Sequence, residues 1–88
     1  MNNLIDLLIQ IEKDETIHSA DTLDLNDPLV YTVYTMAQEM LITKDGKCNW
    51  ENIEQLKVAG YYVFPVERDN FGWVIGGIST NKGVITYG

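Results

Sequence analysis

Residues that carry out covalent or acid–base chemistry are scarce in this chain. Of its 88 residues, one is a cysteine, Cys48, and one is a histidine, His18. A single cysteine cannot close a disulfide within the chain, which is typical of proteins kept in a reducing compartment. A cysteine nucleophile needs a neighbouring base, and His18 is the only histidine that could provide one. We therefore expect His18 to be a surface residue, Cys48 to be half-buried, and the protein not to be an enzyme.

Positive charge is also scarce. The chain has six Lys and Arg residues against 13 Asp and Glu residues, which gives a formal net charge of −7. Such a surface repels phosphate backbones and anionic membranes, so direct binding to nucleic acid or to a membrane is not expected. No apolar run approaches the roughly 20 residues of a membrane span, and the first residues lack the basic stretch of a signal peptide. We expect a cytoplasmic protein.

Motifs that hold phosphates or metal ions are missing. Gly72, Gly76 and Gly77 fall within or beside predicted strands rather than between a strand and a helix, so no glycine-rich phosphate-binding loop is present. Asp21, Asp24 and Asp27 are spaced by three residues, but they lack the central glycine of a calcium-binding loop. The sequence therefore predicts no cofactor and no metal site.

Three amphipathic helices are predicted before the last third of the chain. Asp27 followed by Pro28 is a strong helix start, because Asp caps free amides and Pro has no amide to leave unpaired. The second helix has an almost uncharged polar side, which leaves room for a neighbour to cover part of it. Asn49 caps the third helix and Gly60 occupies its C-terminal stop. The predicted helices run from Leu4 to about Lys13, from Leu29 to Thr43 and from Trp50 to Ala59.

The last third of the chain predicts a three-stranded meander, because aromatic and β-branched runs alternate with turn residues. Pro65 cannot donate to a ladder, which predicts an edge strand, and Gly76-Gly77 indicates a bulge or bend. The fold class is α+β, with three helices followed by a three-stranded antiparallel β-meander in two layers. We expect one domain over 1–88, with a helical part at 1–48 and a helix plus meander at 49–88. The predicted strands are Tyr61–Glu67, Trp73–Thr80 and Val84–Tyr87.

Acidic residues are densest between Glu12 and Asp27, where six acids face one lysine and give a net charge of −5. Residues 14–26 have no helical or strand period, so we expect an ordered acidic loop over 14–27, with Ile17, Leu23 and Leu25 as anchors. An acidic surface attracts basic protein surfaces, including those that normally hold nucleic acid. The candidate contacts on this segment are Glu12, Asp14, Glu15, Asp21, Asp24 and Asp27.

Aromatic residues form a second candidate surface. Tyr61, Tyr62, Phe64, Phe71 and Trp73 lie in or beside the first two predicted strands. Because side chains of a strand alternate between faces, about half of this set belongs to the core and the rest is available for a protein contact. The candidate partner-binding residues of this group are Tyr62, Phe71 and Trp73.

In size and charge the chain resembles the small acidic accessory proteins that bacteriophages express to modify host functions. That resemblance implies a protein that binds and blocks a host protein in the host cytoplasm. Combined with the acidic segment, it predicts a non-enzymatic inhibitor, a DNA mimic, that occupies a basic, nucleic-acid-handling partner. The alternative is a homo-oligomeric structural or regulatory module, such as a homodimer, that buries the first helix and the edge strand. A winged-helix-like regulator is a minor alternative, disfavoured because its recognition helix would carry Glu51 and Glu54.

Overall fold

The computed structural model describes residues 2–86, apart from the side chains of Asn2 and Phe71. Three helices precede a three-stranded sheet, as predicted. The helices are α1 (Asn2–Lys13), α2 (Pro28–Leu41) and α3 (Trp50–Val58), and the strands are β1 (Tyr62–Arg68), β2 (Gly72–Thr80) and β3 (Gly83–Thr86).

The predicted caps of α2 and α3 form as expected, whereas α1 begins two residues before its predicted start and the end of α2 also differs. The Asp27 carboxylate accepts from the amides of Leu29 and Val30, and the Asn49 side chain accepts from the amide of Asn52. α2 ends at Leu41, two residues earlier than predicted, because Ile42 turns extended and pairs with Cys48. That small bridge directs the chain back toward α3.

The sheet is an antiparallel meander in the order β1-β2-β3. β1 is an edge strand, as Pro65 predicted. The register between β1 and β2 shifts between Phe64 and Pro65, so Gly76 is the extra residue of a bulge. A Cβ atom on Gly76 would lie 2.8 Å from a methyl carbon of Val66, which explains why glycine occupies the bulge. Tyr87, the predicted end of β3, lies outside the described residues.

One face of the sheet is covered by the three helices. Val63, Ile78 and Ile85 are paired across the strands on this face, and Ile78 and Ile85 are completely buried. The apolar side of α1 packs into the same core, where Leu4, Leu8 and Ile11 have no exposed surface. The predicted anchors of the loop are also confirmed, since Ile17 and Leu23 are buried and Leu25 packs against the core.

α2 is tied to the sheet by a side chain. The Gln38 amide nitrogen donates to the Ile75 carbonyl at 2.7 Å, and the Gln38 amide oxygen accepts from the Ile75 amide at 3.0 Å. The last described residue of β3, Thr86, pairs with Gly77, so the described part of β3 does not extend as far as Ile75. Gln38 therefore provides the pairing that a longer third strand would give to Ile75.

Candidate protein-interaction surface

The face of the sheet opposite the helices, here called the outer face, exposes a row of apolar side chains on β1. Tyr62, Phe64 and Val66 alternate along the strand and are 56%, 50% and 47% exposed. Across the ladder they lie beside Ser79, Gly77 and Val74. Within the described chain no further layer covers this face, so three large side chains of one strand remain half in water.

The predicted aromatic contacts are divided between the two faces. Tyr62 lies on the outer face. Trp73 pairs with Glu67, which follows the outer-face residue Val66 on β1 and therefore lies on the opposite face. Trp73 therefore faces the helix layer, where its ring meets Trp50 edge to face at a centroid distance of 6.3 Å. Tyr62 and Trp73 thus do not share a surface. Phe71 lies in the turn between β1 and β2, and its side chain is outside the described part of the structure.

Phe64 and Val66 complete the outer-face row but were absent from the predicted contacts. The alternation that places them beside Tyr62 is visible in the sequence. The sequence does not show which of the two alternating sets the helices cover, because both sets are apolar. Tyr61, in the covered set, is only 4% exposed.

The acidic segment, residues 12–27, is held against the β3 edge of the sheet by backbone hydrogen bonds. The Leu23 amide donates to the Val84 carbonyl at 2.9 Å, and the Val84 amide donates to the Asp21 carbonyl at 3.2 Å. A third bond joins the Ala20 amide to the Lys82 carbonyl at 2.8 Å. Residues 20–23 thereby border β3 as a short parallel addition to the sheet, which leaves β1 as the sheet edge without a strand beside it among residues 2–86.

Several carboxylates of the acidic segment accept hydrogen bonds that shape the segment itself. Asp14 accepts from the hydroxyl and amide of Thr16, and these bonds lower the pKa of Asp14. Asp24 accepts from the amide of Asn26, and Asp27 caps α2. The positions of these carboxylates are therefore set by turns and a helix cap within the chain.

Glu12 has a structural role that the sequence analysis did not predict. One of its oxygens accepts from the Tyr61 hydroxyl at 2.5 Å, and the other accepts from the Asn81 amide at 3.1 Å. Burial of Tyr61 and its bond to Glu12 raise the pKa of that phenol well above its usual value. Glu12 thus joins the end of α1 to the sheet and to the β2–β3 turn. Two of the six predicted acidic contacts, Glu15 and Asp21, are exposed, and within residues 2–86 their side chains have no such structural role.

His18 and Cys48 occupy the surroundings expected for them. His18 is exposed and borders an open cavity of about 420 Å³ beneath the acidic segment. Cys48 is half-buried, and burial raises the pKa of its thiol, which opposes formation of a reactive thiolate. Among residues 2–86, no three His, Cys, Asp or Glu side chains are grouped so that they could hold a metal ion. In the same part of the chain, no helix is both long and apolar enough to cross a membrane.

Comparison with known proteins gives no relative: no protein-family model, curated protein or solved structure matches the chain.

Proposed function

We propose that the protein is a non-enzymatic protein-binding module whose contact surface is the outer face of the sheet. The observation that carries this proposal is the row formed by Tyr62, Phe64 and Val66, each about half exposed on a face that the described chain leaves open. Aromatic side chains supply large contact areas at low entropic cost and are favoured anchors of protein interfaces. Neighbouring apolar residues on one open face, rather than scattered ones, mark an interaction site.

A second candidate function is inhibition of a basic, nucleic-acid-handling partner through the acidic segment. It is favoured by the backbone pairing with β3, which holds residues 20–23, including the exposed Asp21, beside the sheet. Charges held in fixed positions imitate a phosphate backbone better than charges on a mobile loop. Attraction of this kind is screened over about 8–10 Å at physiological ionic strength.

The homo-oligomeric alternative has less surface available than the sequence suggested. It needed both the first helix and the edge strand, yet the apolar face of α1 is buried against the protein's own core. The remaining edge, β1, contains Pro65, and a proline on an edge strand hinders the addition of another strand.

The proposal is tested by capturing partners from a bacterial lysate with tagged wild-type protein and with two matched variants. Phe64→Ser removes an aromatic side chain from the outer face, and Tyr31→Ser removes one of equal exposure from α2, where Tyr31 is 52% exposed. We expect a partner that is retained by wild type and by Tyr31→Ser but lost by Phe64→Ser. Equal capture by both variants would contradict the proposed surface.

Raising the salt concentration and removing acidic charges distinguish the inhibitor candidate from binding through the outer face. Replacing Glu15 with Gln and Asp21 with Asn removes two exposed charges without touching the outer face. Under the inhibitor candidate, this double variant and an increase from 0.05 to 0.5 M salt, roughly the range over which screening becomes strong, both release the partner. A partner that resists both treatments is held by the apolar row instead.

A further inference from the structure

We draw no further inference here: the strongest candidate, the open cavity of about 420 Å³ between the acidic segment and the start of α2, is lined by the carboxylates of Asp24 and Asp27, which already serve a turn and the α2 cap, and nothing in the described part of the chain shows what would fill it.

Discussion

Gln38 offers the sharpest test of how the helices are fixed to the sheet. Its side-chain amide satisfies both backbone groups of Ile75, at 2.7 Å and 3.0 Å, beyond the described end of β3. Gln38→Leu keeps a side chain of similar length but removes both bonds, and it leaves the N–H and C=O of the completely buried Ile75 without their partner. Leaving a buried polar group unpaired costs about 1–3 kcal/mol.

The expected loss of stability follows from the unpaired N–H and C=O groups of Ile75. Ile75 is completely buried but Gln38 is only half-buried, so water can approach the two groups from the Gln38 side, and the lower end of the range applies to each of them. We expect Gln38→Leu to reduce the free energy of unfolding by about 2 kcal/mol. For a domain of this size that corresponds to a fall in Tm of about 8–16 °C.

The assay is urea unfolding followed by circular dichroism, with thermal unfolding as a second measure. Gln55→Leu is the matched control, since Gln55 is exposed on α3 and its side chain holds no backbone group of the sheet. We expect Gln55→Leu to stay within about 0.5 kcal/mol of wild type. If Gln38→Leu is no less stable than Gln55→Leu, the bonds from Gln38 to Ile75 do not stabilise the fold, which contradicts the prediction.

Two further predictions concern Tyr61 and the glycines. Because burial and Glu12 raise the pKa of Tyr61 in the folded state, the unfolded chain ionises first, and wild type should lose about 1.4 kcal/mol of stability per pH unit above about pH 10 relative to Tyr61→Phe. Urea midpoints measured from pH 8 upward check this, and parallel pH profiles for the two proteins would contradict it. Gly60 (φ +100°) has open space around its Cβ position, whereas a Cβ on Gly83 (φ +146°) would lie 2.1 Å from the Ala20 carbonyl oxygen. Gly60→Ala should therefore cost about 1 kcal/mol and Gly83→Ala at least about 3 kcal/mol, because the second must also displace the acidic segment from β3. Equal losses in urea unfolding would show that the segment is not held there.

Local signals in the sequence determined most of the fold. Asp27-Pro28 and Asn49 marked helix starts because their side chains meet free amides directly, and Pro65 marked the edge of the sheet because it lacks an amide. The end of α2 was misplaced by two residues, since Ile42 is drawn out of the helix by pairing with Cys48, a tertiary contact with no local signature.

The candidate surface was only half predictable. Alternation along β1 separated Tyr61, Val63 and Pro65 from Tyr62, Phe64 and Val66, and the structure keeps these two sets apart. Which set the helices cover depends on packing between distant parts of the chain, so the sequence grouped Tyr62 and Trp73 as contacts although they lie on opposite faces of the sheet. Glu12 was taken for a surface contact, and its bonds to Tyr61 and Asn81 span 49 and 69 residues of sequence.

The central claim, that the outer face of the sheet contacts a partner protein, is tested most directly by photo-crosslinking. Phe64 on the sheet and Tyr31 on α2 have nearly equal exposure, so position 31 is a matched control for position 64. Each residue is replaced in turn by p-benzoylphenylalanine. After irradiation in a lysate, we predict a discrete crosslinked adduct from position 64 and none from position 31. An adduct from position 31 alone, or the same adducts from both positions, would contradict the account.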